Sequence, residues 1–122
     1  MNKMQRMSDS EKQIMEFIWA AGHPVTTREI IANLPEDNNW KQSTVITFLA
    51  RLMKKGLLKA TRISKANYYE PCLTEREYRN FETKQFIADV HKGSVLEFIS
   101  SLCDNGDLTK EDIEKLTKHL KK

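Results

Sequence analysis

The chain has 122 residues, 39% of them hydrophobic and 30% charged, and its 20 Lys/Arg against 17 Asp/Glu leave a formal net charge of +3. That is the composition of one soluble globular domain, or of a small domain with an appendage, and no apolar run approaches the roughly 18–20 residues of a membrane span. Cys72 and Cys103 fit no CxxC spacing, which argues against a disulfide framework and a cysteine metal site, and residues 1–10 are polar with no apolar leader stretch, so a cytoplasmic protein of bacterial type is expected.

The first element is a helix over about 9–21, with Ile14, Phe17, Ile18 and Ala21 at i, i+3, i+4 and i+7. His23-Pro24 breaks it, because a residue before proline avoids the α region, and Val25 could add a short strand. A second helix over about 27–34 would bury Ile30, Ile31 and Leu34, and residues 35–39 have turn composition. A third, over about 42–55, would bury Val45, Phe48, Leu49 and Leu52. After Gly56 the period changes. Residues 57–63 and 68–70 read as strands around a hairpin tip at 64–67, closed by Pro71.

From Thr74 the chain is helical again, to about 91, then over 94–103, then from 109 onward. Capping-box pairs mark the starts: Ser8 with Glu11, Thr26 with Glu29, Thr74 with Glu77, and Thr109 with Asp112. Gly22, Gly56, Gly93 and Gly106 each follow a helical stretch, where a left-handed C′ residue is wanted. The fold class is therefore mainly α: a winged helix-turn-helix over 1–73, followed by a helical dimerisation region over 74–122.

The charge is segregated along the chain. Residues 1–71 hold 11 Lys/Arg and 7 Asp/Glu, whereas residues 72–122 hold 9 and 10. Residues 38–69 contain no acid, yet carry Lys41, Arg51, Lys54, Lys55, Lys59, Arg62 and Lys65. Such a field suits a polyanion. Opposite its apolar arc, the third helix places Ser43, Thr44, Thr47, Arg51, Lys54 and Lys55, the profile of a major-groove recognition helix. Lys41, Gln42 and Ser43 sit at its start, where amides and dipole favour a phosphate. Gln42 suits adenine, Thr44 and Thr47 suit base edges or a thymine methyl, and Arg51 suits a phosphate. Arg62 and Lys65 arm the wing, about 58–70. Double-stranded operator DNA is the expected partner.

The C-terminal helices are short and apolar on one face. Tyr78, Phe81 and Ala88 project one way from the first of them, and Phe86, Ile87 and Val90 another. Val95, Phe98, Ile99 and Leu102 follow on the next, and Ile113, Leu116 and Leu120 on the last. Three such helices make a thin core alone. Pairing with a second copy would bury these faces and set two recognition helices one DNA turn apart.

Several blocks resemble the BlaI/MecI/CopY-type repressors, that is, the penicillinase repressor family. They are Trp40-Lys41-Gln42-Ser43-Thr44-Val45-Ile46-Thr47, Arg51-Leu52-Met53-Lys54-Lys55-Gly56-Leu57, Glu16-Phe17-Ile18-Trp19, Tyr68-Tyr69, Phe86-Ile87 through Lys92-Gly93, and Leu108-Thr109 with Ile113 and Leu116. The resemblance implies a homodimeric winged-helix repressor on a dyad operator, controlling β-lactam resistance or copper homeostasis genes. Three features depart from it. Ile46 stands where relatives often have Lys or Arg. The Asn-Phe bond cleaved in the antibiotic branch is matched by Ser101-Leu102, since Asn80-Phe81 does not align, which leaves open whether an inactivating protease is a partner. The copper branch uses a C-terminal cysteine cluster, and Cys103 stands alone there.

No glycine-rich phosphate loop, GxSxG or HExxH occurs, and His23, His91 and His119 are dispersed. The expectation is a non-enzyme with no cofactor and no metal. The rival reading is a winged helix used for protein contacts without direct DNA readout, and salt dependence separates the two.

Overall fold

A computed structural model describes residues 5–121; the outermost ends of the expected spans 1–73 and 74–122 lie outside them. Six helices and three strands follow in the order α1 (Asp9–Ala21), β1 (Val25–Thr26), α2 (Thr27–Ala32), α3 (Gln42–Lys54), β2 (Leu58–Ile63), β3 (Ala66–Pro71), α4 (Glu75–Val90), α5 (Val95–Asp104) and α6 (Lys110–Leu120). The chain divides into two compact units, one ending at Arg79 and one beginning at Asn80.

In the first unit the helix starts are set locally. Ser8 accepts from the Glu11 backbone N–H while the Glu11 carboxylate accepts from Ser8 N–H, and Thr26 and Glu29 repeat the pattern. α2 ends two residues earlier than expected. Asn33 closes it, donating its backbone N–H to Ile30 and its side-chain amide to the Glu29 carbonyl at 2.8 Å. α3 ends in a Schellman turn: Gly56, at φ 80°, donates to the Met53 carbonyl and Leu57 to that of Leu52. Only glycine holds that conformation without a Cβ penalty. The turn drops Leu57 into the core and launches the hairpin.

Ile14, Met15 and Ile18 of α1, Ile30 of α2, and Val45, Leu49 and Leu52 of α3 form that core with Val25, Leu57, Leu58 and Tyr69. Met15 takes the buried place expected for Phe17, which is half-exposed. The sheet order is β1-β3-β2, all antiparallel, with Val25 opposite Tyr69 and Ala60 opposite Tyr69 on the other side. Val25 thus forms the third strand. Beyond Leu58 every residue of β2 is exposed, so this strand projects as a wing rather than serving the core. Its free edge carries Lys59 and Arg62, charges that discourage pairing with another sheet.

Two long-range hydrogen bonds hold the first turn of α4 to this unit. Met7 N–H donates to the Tyr78 hydroxyl at 2.7 Å, and Trp19 Nε1–H donates to the Leu73 carbonyl at 3.0 Å.

In the second unit, Ser94 caps α5 and the Thr109/Asp112 box caps α6. His91 is buried between the rings of Phe86 and Phe98, 5.6 Å from each, with Glu97 Oε1 at 3.4 Å from Nδ1. Neither α5 nor α6 buries any residue fully.

Candidate nucleic-acid interface

α3 packs through Val45, Leu49 and Leu52, so its other side faces solvent. There Lys41, Gln42, Ser43, Thr47, Arg51 and Lys54 are exposed and Thr44 is half-buried. Thr47 Oγ1 donates to the Ser43 carbonyl at 2.9 Å, turning the hydroxyl back on the helix. Phe48 sits at the seam between faces. The Trp40 ring meets it edge-on at 5.1 Å, and the Arg51 guanidinium lies 5.8 Å over its face. A cation over an aromatic ring is held in place while keeping its charge accessible.

The start of α3 differs from the other described helices. Side-chain oxygens of Ser8, Thr26, Thr74, Ser94 and Thr109 cap α1, α2, α4, α5 and α6. The N-cap of α3 is Lys41, which supplies no side-chain hydrogen bond, and no acid occupies the first turn. The positive end of the helix dipole and the amides of Gln42 and Ser43 thus have no capping side chain among the described residues.

Lys55 departs from the outward basic stripe. Its ammonium turns onto α1, 2.5 Å from Glu11 Oε1 and 3.0 Å from the Arg6 carbonyl. Glu11 is only 2% exposed and Lys55 21%. Burial pushes the Glu11 carboxyl up. The Lys55 hydrogen bond, the Ser8 N–H and the charges of Lys55 and Arg51 outweigh that and hold it below the ordinary value. Lys55 therefore anchors α3 on α1. Helical spacing could not reveal this, because position 55 falls between the buried and outward arcs.

At the wing tip Ile63 pairs with Ala66, leaving Ser64 and Lys65 as a two-residue loop with φ of 47° and 71°. That is the pattern of a type I′ turn, which glycine or asparagine normally occupies. Arg62 and Lys65 are exposed, whereas Lys59 lies 3.8 Å from Glu70 across the strand pair. Tyr69 is buried and Tyr68 half-buried, as packing residues would be.

Between wing, α2 and the start of α3 lies a polar cleft of about 480 Å³ lined by Thr26, Thr27, Arg28, Gln42, Arg62, Lys65 and Asn67, among others. Arg28 was not a sequence candidate. The pointer to it was the Val25 strand, which pairs with β3 and brings the next few residues against the wing.

Of the apolar residues expected to dimerise, Phe86, Val90, Val95, Ile113, Leu116 and Leu120 are exposed. Ile87, Phe98, Ile99 and Leu102 are half-buried. Leu96, outside that helical register, is 76% exposed. Among the described residues no helix is long and apolar enough to cross a membrane, and no three His, Cys, Asp or Glu gather as a metal cluster would.

Residues 7–122 match the family model described as penicillinase repressor. The chain is 28% identical over 116 residues to the penicillinase repressor of Bacillus licheniformis, covering 95% of this chain and 90% of that one. The solution structure of the DNA-binding domain of the repressor BlaI superposes with a TM-score of 0.56 at 33% identity, covering 64% of this chain and 94% of the domain. Monomeric B. licheniformis BlaI in complex with the blaP half-operator gives a TM-score of 0.53 at the same identity and coverage.

Proposed function

Because the chain belongs to the penicillinase repressor family, we propose that it is a sequence-specific DNA-binding transcriptional repressor. α3 enters the major groove, and the wing with Arg62 and Lys65 lies on the flanking backbone. The observation that carries this reading is that Gln42, Arg51, Lys54, Arg62 and Lys65 stand exposed within the acid-free stretch 38–69, with Arg28 joining Arg62 and Lys65 in the cleft. A duplex backbone is the ligand for such a face, because each phosphate neutralised releases counterions. Residues 1–73 act as the DNA reader.

Residues 74–122 act as the dimerisation region, pairing two readers on a dyad operator. The bare apolar residues of α5 and α6 support this, since neither helix has a buried position of its own. In this reading the protein is a binder and performs no catalysis.

The test is anisotropy titration of the full chain against duplexes it selects from a random library. Arg51→Ala combined with Lys54→Ala should lower affinity for all duplexes and flatten the log-log salt slope by about 0.9 per lost contact. Unchanged affinity at physiological salt would remove α3 from the interface, and salt-independent binding would favour a protein-contact module. Sedimentation equilibrium checks the dimer: Ile113→Asp with Leu116→Asp should give monomers, and a monomeric parent at high concentration would contradict the pairing.

A further inference from the structure

The exposed side of α3 is not wholly polar. Ser43, Thr47, Ala50 and Lys54 lie opposite Val45, Leu49 and Leu52, and Ile46 stands on the flank of that side, about 100° round the helix from Val45; all five are exposed. Ile46 is 46% exposed, so it does not serve the core. The Thr47 proton is used on the Ser43 carbonyl, which leaves that side chain a methyl and a lone pair to present. Ala50 adds a third methyl. Ile46, Ala50 and the Thr47 methyl thus form a short apolar ridge along one flank of the exposed side, bordered by Lys54 and Arg51.

A single exposed isoleucine is ordinary on a protein surface. Its setting here is not, because the surrounding charge selects a polyanion, with no acid from residue 38 to residue 69. In the major groove of a duplex, the apolar group at a base edge is the C5-methyl of thymine. We propose that Ile46 is a specificity-determining residue that packs on a thymine methyl, with Ala50 and the Thr47 methyl beside it. This rests on the DNA-binding reading above and names what the face reads. Discrimination at that base pair is by apolar contact, so it differs in kind from a hydrogen-bonded Arg or Lys readout at the same place.

The experiment uses the full chain and its selected duplex. Each thymine of a half-site is replaced in turn by deoxyuridine, which removes one methyl and nothing else. At one position the parent should bind the uracil duplex about fourfold more weakly per half-site, the effect of one methyl-sized apolar contact. Ile46→Ala should bind thymine and uracil duplexes alike at that position, with its circular dichroism unchanged because the side chain is exposed. Equal affinity of the parent for every uracil duplex would overturn the assignment, as would Ile46→Ala retaining the fourfold difference. Failure of the underlying reading looks different: the parent would then select no duplex at all, and both conclusions would go.

Discussion

Removing Lys55 tests whether that residue belongs to the fold or to the DNA face. Its ammonium contacts Glu11, which is 2% exposed, and the Arg6 carbonyl. Lys55→Met keeps the stem volume but leaves a buried carboxylate with Ser8 N–H as its remaining hydrogen-bond donor. Breaking a buried pair from one side costs about 3–5 kcal/mol, and because Lys55 is itself 21% exposed, water can partly take its place, so about 2–4 kcal/mol is expected. Glu11→Gln should cost less, about 1–2 kcal/mol, since the amide oxygen still caps Ser8 and the lysine can reach water. The double variant should be more stable than Lys55→Met alone, because it no longer strands a charge. Urea unfolding followed by circular dichroism measures this, at one fixed protein concentration because the proposed dimerisation would link stability to concentration. The same variants in DNA titrations complete the test. Lys54→Met should lower the salt slope by about 0.9, whereas Lys55→Met should leave it unchanged. A Lys55→Met protein within about 0.5 kcal/mol of the parent and with a reduced slope would refute the reasoning and return Lys55 to the DNA face.

Lys65→Gly should relieve the left-handed backbone at the wing tip, raising stability by up to about 1 kcal/mol, while weakening DNA binding by loss of the charge; tighter binding would contradict a phosphate role. Glu11 also predicts acid sensitivity. Its carboxyl ionises at lower pH folded than unfolded, so the unfolded chain takes up the proton first. The stability it contributes is present above about pH 4.5, the ordinary value, and is lost as pH falls through the lower folded value. Glu11→Gln should flatten that acid limb in unfolding measured against pH, and an unaltered limb would count against the ion pair. Tyr78→Phe strips the buried Met7 N–H of its acceptor and should cost about 1–3 kcal/mol by the same urea assay.

The sequence disclosed what is decided within a few residues. The capping boxes at Ser8, Thr26, Thr74 and Thr109 are spaced by three positions, and each forms. The buried arc of α3 follows from helical period, and the hairpin from its turn and flanking strands. What spacing could not disclose lies across the chain. Glu11 reads locally as half of a cap, while its partner Lys55 is 44 residues away. Trp19 finds Leu73 across 54 residues and Met7 finds Tyr78 across 71. Arg28 joins the cleft only because β1 pairs with β3. Residues at the seam between faces, such as Phe48 and Lys55, are assigned by their neighbours rather than by periodicity.

The bare start of α3 makes local order and occupancy a single variable. The Thr44 and Val45 amides already donate to the Lys41 carbonyl, but no side chain closes the turn ahead of them. In the free protein, the amides of Gln42 and Ser43 should therefore trade hydrogens with water quickly. A phosphate oxygen arriving there would slow that trade and at the same time finish the helix. If α3 reads the operator as proposed, the reading element is completed by what it reads, and isotope exchange at two amides would report, without any label on the DNA, whether the helix is engaged.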